Sequence, residues 1–336
     1  GMRFVYIGLG TLALFVVALM TGAVDIPATE VLGILMGKDS ENTVWRVIVL
    51  ESRLPMAMTA LLSGASLSIA GLMLQTTFQN PLAGPSILGV SSGASMGVAI
   101  VMLLGGGALA SAGALQYVSV IAGAIAGAAA VILLLLGLSS SLRSSAMLLI
   151  AGIMLSYLAS SVISLLNFFA PADGVKSFVV WGLGSFGGVT ASELPLFCTV
   201  LAAALFSSAL FIKPLNALLL GERYTANMGY SVKRLRSLLL CLSGILTAFV
   251  TAFCGPIGFI GIVVPHIARM IFKTSNHSIL IPATMLCGAA LTLACSVLTT
   301  IPGSSGVLPI NAITPVIGVP VIIYILIQRR SLRYFN

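Results

Sequence analysis

The chain has 336 residues, of which 59% are hydrophobic and 7% charged, with 16 Lys and Arg against 8 Asp and Glu for a formal net charge of +8. Soluble domains carry about 25% charged residues, so a mean hydropathy of +1.15 excludes that class and points to a chain that crosses a membrane many times. The excess positive charge is topogenic and gives no reason to expect nucleic acid as a partner.

Alternating strands of the barrel type are missing, so the crossings are helices. At ~20 residues for a ~30 Å hydrocarbon layer, the chain has room for roughly ten, in one transmembrane domain over residues 1–336 of all-α class. Gly1 before Met2 reads as a cloning remnant. Arg3 opens an apolar run at 4–23 that is either a signal peptide or a first crossing. It exceeds the ~7–15 residues of a signal-peptide core and is read as a retained crossing, while cleavage would leave nine crossings and is compatible with the later charges. Residues 24–53, with Asp25, Glu30, Lys38, Asp39, Glu41, Arg46, Glu51 and Arg53, form an outside loop with a short amphipathic helix.

Crossing two, about 54–76, ends at NPLAGPSILG, where Pro81, Gly84, Pro85 and Gly89 break the helix and Asn80 offers its side chain to the freed backbone. Crossings three (87–104) and four (about 116–138) are joined by GGGALASAG, and a turn carrying Arg143 leads to crossing five, 147–169. Crossing five carries Gly152, Ser156, Ser160 and Ser164 every fourth residue, with Asn167 a turn on. Such a stripe serves either close helix packing or the wall of a translocation path. Asp173, Lys176 and Glu193 flank an amphipathic piece with Trp181 that suits the interface.

Crossing six (194–212) leads into residues 213–236, the most basic connection, with Lys213, Arg223, Lys233, Arg234 and Arg236 against Glu222. Crossing seven (about 236–254) meets a second break, GPIGFIG, before an eighth span of about 15 residues, too short to face lipid alone. Crossings nine (278–300) and ten (308–327) complete the set. Placing both termini in the cytoplasm puts twelve cations there, namely Arg3, Arg143, Lys213, Arg223, Lys233, Arg234, Arg236, Arg269, Lys273, Arg329, Arg330 and Arg333. Only Lys38, Arg46, Arg53 and Lys176 stay outside, as the positive-inside rule expects. The two Gly/Pro breaks lie five crossings apart on oppositely directed helices, the signature of an inverted repeat around a transport path.

No carboxylate falls inside a crossing, which argues against an ion-coupled carrier. The single Gly-Lys pair, Gly37-Lys38, is not part of a phosphate-binding loop, so nucleotide hydrolysis belongs to another chain. The five cysteines sit in or beside apolar spans with no metal-ligand spacing and read as packing residues. His266 and His277 map near the cytoplasmic side, and the ring at Pro265-His266 is expected at a helix end near the headgroups. A serine-histidine intramembrane protease would need His266 beside Ser92 or Ser95, which nothing in the spacing provides. A self-powered carrier or channel without an ATPase partner is the other alternative.

RLPMAMTALLSGASLSIAGLMLQTTFQNPLAGPSILGVSSGAS, LLIAGIMLS, LGERYTANMGYSVKRLR, GPIGFIGIVVPHIAR and LPINAITPVIGVPVIIYIL resemble, in order and over nearly the whole chain, the permease subunits of type II ABC importers of the FecCD type. That family takes up iron-siderophores, haem and cobalamin. The resemblance implies ten helices, a second permease copy (homodimer or paired homologue), two cytoplasmic ATPase subunits using ATP and Mg, a periplasmic substrate-binding protein, and the bacterial inner membrane. It implies no catalysis, bound cofactor or metal site in this chain. By position, Gly221, Glu222, Arg223, Ala226, Met228 and Gly229 match the ATPase-coupling segment. Asn80, Leu82, Ser144 and Ser145 match the cytoplasmic gate, and Ser156, Ser160, Ser164 and Asn167 are assigned to the path. Arg53 matches an arginine that pairs with an acid on the binding protein. The chain departs from the pattern at Met56, where relatives often have a second basic residue. It departs again at residues 295–300, which lack the usual Asp and Arg, and at Val307-Leu308-Pro309-Ile310-Asn311 in place of Glu and LP(I/V)G.

Overall fold

The computed structural model describes residues 2–38, 42–104, 114–142, 144–300 and 308–327. The GGGALASAG connection, Asp39, Glu41, Arg143, Val307, Arg329, Arg330 and Arg333 lie outside the described residues. In chain order the helices are α1 (Met2–Met20), α2 (Ala28–Leu35), α3 (Thr43–Val47), α4 (Leu54–Phe78), α5 (Val90–Ala99), α6 (Ala114–Ser141), α7 (Ser145–Phe169), α8 (Ala172–Gly182), α9 (Leu194–Ser208), α10 (Ile212–Leu219), α11 (Glu222–Asn227), α12 (Val232–Cys254), α13 (Ile260–Phe272), α14 (His277–Thr299) and α15 (Ile310–Ile327). A π turn, Ile48–Arg53, feeds α4, and another, Ile100–Leu104, prolongs α5. Seven helices are long and apolar enough to cross a bilayer, and three shorter apolar ones, Val90–Leu104, Ile260–Phe272 and Ile310–Tyr324, complete the expected ten among the described residues.

The array is built around α4. Every residue from 63 to 78 is buried, so the helix has no lipid face over its second half. It packs against α14, α12, α13, α9 and α1. Small residues make this possible, because close approach of backbones is what drives helix association in lipid. A Cβ added at Gly71 would strike the Gly261 carbonyl at the start of α13, and one at Gly64 would strike Gly288 and Thr292 of α14. Some hydroxyls along α4 fold back onto their own helix, as Thr77 does to Met73 O at 2.7 Å. Thr59, Ser66 and Ser68 of the same helix are buried with no hydrogen-bond partner among the described residues.

The inverted repeat shows in which helices touch. With α4, α5, α6 and α7 set against α12, α13, α14 and α15, every major pairing has its counterpart. The pair α4–α14 is matched by α12–α6, α5–α6 by α13–α14, α4–α13 by α12–α5, and α5–α7 by α13–α15. α13, at 13 residues, is about 20 Å long and too short to span alone. It survives because it is enclosed by α4, α14 and α15. Peripheral helices look different: α1 buries only Thr11 and Leu19, and α7 only Leu148, Gly152 and Ala159.

Several contacts fix which connections share an end. Arg3 Nη1 donates to Ile271 O at 2.7 Å, Gln79 Nε2 to Leu218 O at 2.9 Å, and Asn216 Oδ1 accepts from His277 N at 2.8 Å. The N-terminus, the first break, residues 213–236 and the α13–α14 turn therefore lie together. The eight described cations assigned to the cytoplasm all fall at this basic end. Overpacking at the centre should be severe: Gly71→Leu is expected to lower stability by at least about 1–3 kcal/mol, read as a drop in detergent melting temperature. Gly8→Ala, with nothing within 4 Å of the new Cβ, should leave it unchanged.

Candidate functional site: the basic loop and the central cavity

Two glycines divide residues 213–236. Gly221 (φ 103°) stops α10 and opens α11, and Gly229 (φ 88°) ends α11 before Ser231 caps α12. Both sit in a region where a side chain would be strained. The buried Thr225 hydroxyl donates to Gly221 O at 2.9 Å and closes the first of these turns. Between them Arg223, Ala226, Met228 and Gly229 are exposed, and so are the apolar Leu220 and Tyr224. Apolar side chains thus stand exposed at a tip outside the crossings.

Glu222 connects this tip to the body. Its Oε1 accepts from Arg236 Nη2 at 2.7 Å and from Ser145 Oγ at 2.8 Å, and Arg236 Nη2 also donates to Ser145 Oγ at 2.9 Å. One carboxylate oxygen thus ties α11 to the first turns of α7 and α12. Ser144, one residue earlier, caps α7 by accepting from Ala146 N at 3.2 Å. The expected coupling residue Glu222 and the expected gate residue Ser145 are direct hydrogen-bond partners.

The other expected gate segment is tied to the same loop through residues the motifs did not single out. Asn80 Oδ1 accepts from Leu82 N at 2.9 Å, a side-chain-closed turn that leaves Leu82 exposed. Just before it Gln79, at φ 46°, ends α4 and donates to Leu218 O of α10. Beside it His277 Nδ1 is 2.9 Å from Asn216 Oδ1 of α10, and His277 Nε2 is 3.0 Å from Thr76 Oγ1 of α4. An amide oxygen only accepts, so the proton sits on Nδ1 and Thr76 donates to Nε2. Gln75 continues the network, donating to Ile262 O at 3.1 Å and accepting from Arg269 Nη1 at 2.7 Å. His266 Nε2 donates to Pro81 O at 2.8 Å. Both histidines are buried, at 5% and 0% exposure. His266 sits within α13, not at its end, and holds the Pro81 carbonyl, while His277 holds the Asn216 amide oxygen. The run Gln75-Thr76-Thr77-Phe78-Gln79 at the end of an apolar crossing was the available signal, since polar residues there are costly unless used.

Between the breaks lies a cavity of ≈ 430 Å³ whose walls include Ser86, Ser91, Ser92 and Ser95 from the first break and α5, and Pro256–Phe259 from the second. The breaks also pack on each other, since a Cβ at Gly261 would press on Pro85 and one at Gly84 on Ile262. Of the α7 stripe, Ser160 lines this cavity. Gly152 and Ser156 instead pack against Leu88 and Gly89, and Ser156 bonds to Gly152 O at 3.1 Å. Ser164 is exposed and bonds to Ser160 O at 2.9 Å, while Asn167 Oδ1 is shielded with no partner among the described residues. Packing and lining are thus divided along one helix face. Ser92 and Ser95 line the cavity, whereas His266 is bonded to Pro81 O, so the protease arrangement is not formed.

Arg53 is 5% exposed. Its guanidinium donates to Leu19 O at 3.1 Å and Met20 O at 2.9 Å, and also to Val24 O. The Leu19 and Met20 carbonyls end α1, where a cation both meets orphan acceptors and offsets the helix dipole. In this conformation the arginine fastens the first helix and is not presented as a surface charge. The link spans some thirty residues of sequence and has no local signature.

Fold and site together define a multi-helix membrane permease with an inverted repeat and a central broken-helix cavity. The FecCD transport family matches residues 10–328, and the chain belongs to that family. It is 34% identical over 326 residues to the vitamin B12 import system permease protein BtuC of Serratia proteamaculans, covering 97% of this chain and 92% of the relative. It is 34% identical over 286 residues to BtuC of Klebsiella pneumoniae, covering 85% and 84%. A solved metal-chelate type ABC transporter in an inward-facing conformation superposes with a TM-score of 0.84 at 28% identity, covering 97% of this chain and 98% of that one.

The Glu222–Arg236 pair is asymmetric, with side-chain exposures of 42% and 4%. Glu222→Ala strands a buried cation and should cost about 1–3 kcal/mol. Arg236→Met leaves a carboxylate that water can reach, and should cost less. Thermal melts of the two variants, compared side by side, check the order.

Proposed function

We propose that the chain is the membrane subunit of an ATP-driven importer that moves a bulky metal chelate inward from the periplasm, with the basic end facing the cytoplasm of a bacterial inner membrane. What supports this most directly is the bonding of residues 213–236 to both segments expected to gate the path, through Glu222 to Ser145 and through Leu218 O to Gln79. A partner ATPase that grips Leu220, Tyr224 and Met228 would move α10 and α11, and rigid-body motion would reach the two gate segments through those bonds. The permease performs no covalent step. Hydrolysis of ATP with Mg falls to two copies of a separate subunit.

Ser160 is exposed while lining the cavity, so a single chain closes only part of it. A second permease copy against α7 completes the enclosure. The cavity wall is hydroxylic and apolar with no charged group among its described lining residues, which suits a large solute that must be released as easily as it enters. Relatives named for vitamin B12 and a neighbour of metal-chelate type support corrinoids and other metal chelates as the cargo class. Arg53, buried here, docks a binding protein only if α1 shifts. The exposed Asp25, Glu51 and Asp173 at the opposite end are the nearer candidates for that contact.

Copurification and transport test the scheme. An ATPase subunit that stays bound to the solubilised permease supports it, and substrate flux by the lone permease in vesicles overturns it in favour of a self-powered carrier. In the reconstituted complex, Met228→Ala, Gly229→Val and Asn216→Ala are each expected to leave ATP hydrolysis in place. Each should lower uptake per ATP roughly tenfold, the equivalent of 1.4 kcal/mol of lost coupling. Uptake at the parent ratio in all three would remove the loop from the mechanism. Binding of cobalamin, haem and ferric siderophores to the cognate binding protein identifies the cargo.

A further inference from the structure

Phe259 opens the wall of the central cavity in an unusual conformation. It has φ 68° and ψ −37°, and Ile260 N donates to Gly258 O at 2.8 Å across it. A three-residue turn closed with a positive central φ is the rare, strained hand of γ-turn. A bulky residue holds such a conformation only where its surroundings over-determine it.

Asn311 supplies that constraint. From the first turn of α15 its Nδ2 donates to Pro256 O at 2.5 Å and to Gly182 O at 3.2 Å, and its Oδ1 accepts from Gly258 N at 3.3 Å. One side chain therefore fixes both residues that lead into the turn and anchors them to the end of α8. Its own amide is held as well, donating to Leu183 O at 3.3 Å. On the far side Gly318 of α15 leaves room for the ring, since a Cβ there would sit 3.2 Å from Phe259 Cβ. Asn311 and Phe259 both line the cavity, and Phe259 is its sole aromatic among the described lining residues. The sequence pattern had marked Asn311 only as a departure from a glycine.

We propose that Asn311 is a positioning residue that holds the γ-turn in place, so that the Phe259 ring stands as a fixed wall and sets the size of solute the cavity admits. Assigning the solute to transport rests on the permease reading above. The wall itself is a property of the chain and is tested without transport. Loss of the clasp frees Gly258 N and Pro256 O, and the strained turn then relaxes toward ordinary backbone with the ring displaced.

The test uses the full chain in lipid nanodiscs with Ser95→Cys as reporter and the parent's native cysteines as background. It measures alkylation by a small methanethiosulfonate and by a bulky maleimide. Phe259→Ala removes the ring and is expected to raise the bulky-to-small rate ratio roughly fivefold, the equivalent of about 1 kcal/mol. Asn311→Ala should raise it as much, and the double variant no further, because the two act through one element. Asn311→Ala at the parent ratio beside a raised Phe259→Ala overturns the proposal, as do additive effects or an unchanged ratio in Phe259→Ala. Phe259→Gly tolerates the positive φ and relieves the strain. If Asn311→Ala alone does not fold, Asn311→Ala on that background must match Phe259→Gly, and a further rise in ratio overturns the assignment. Uptake assays failing while the ratios behave as stated would sink the transport reading and leave the wall intact.

Discussion

Inside a bilayer every backbone polar group must find its partner within the protein, and two Gly/Pro breaks in the middle of a helical array violate that requirement unless side chains repair it. Here the repair is reciprocal. His266, from the second repeat, holds Pro81 O of the first break, and Gln75, from the first repeat, holds Ile262 O just past the second. Asn80 closes its own turn, and Asn311 closes the turn before Phe259. The breaks are tolerable because they face each other and the cavity rather than lipid. The close glycine contacts of α4 with α13 bring them into register.

That arrangement places polar side chains between the two breaks and the basic loop, where the proposed function routes its motion. The ends of α4, α13 and α14 at the basic face form one network with α10, and α11 is joined to α7 and α12 by the Glu222 carboxylate. Hydrogen bonds between rigid helices transmit displacement better than apolar contacts, which slide. They also break at modest cost, so the same bonds are able to exchange partners between two states. The exposed apolar tip at Leu220, Tyr224 and Met228 contributes little to holding the chain together, and this leaves it free to be held by something else.

Much of this was legible in the sequence. Crossing lengths and charge asymmetry follow from what a bilayer accepts, and Gly/Pro clusters mark breaks by local sterics alone, so helices such as Val232–Cys254 and His277–Thr299 fall close to the expected spans. Glu222 and Ser145 were marked separately by motif position, but their contact joins residues 77 apart. The partners of Gln79, His266 and His277 lie 139, 185 and 61 to 201 residues away, and no periodicity carries such information. Arg53 shows the reverse case: its position in RLP matched a docking arginine, whereas three-dimensional proximity gave it the end of α1 to satisfy. The α7 stripe held two meanings at one spacing. Leu88 and Gly89 lie over Gly152 and Ser156, and the gap left beyond them falls at Ser160.

A path of this kind works best when its walls bind weakly. Charged groups at mid-depth would cost several kcal/mol to bury unpaired, and the serine hydroxyls of the cavity wall carry no charge. Discrimination must then come from shape. Shape is set by rigid, over-constrained elements, and among the described lining residues the cavity's one aromatic is also its one non-glycine residue with a positive φ. A strained turn is costly to hold and quick to relax, so its clasp decides whether the wall is fixed or yields as cargo passes. On the proposed function, weak lining and a stiff wall would answer the same need, sorting cargo by fit without retaining it by affinity.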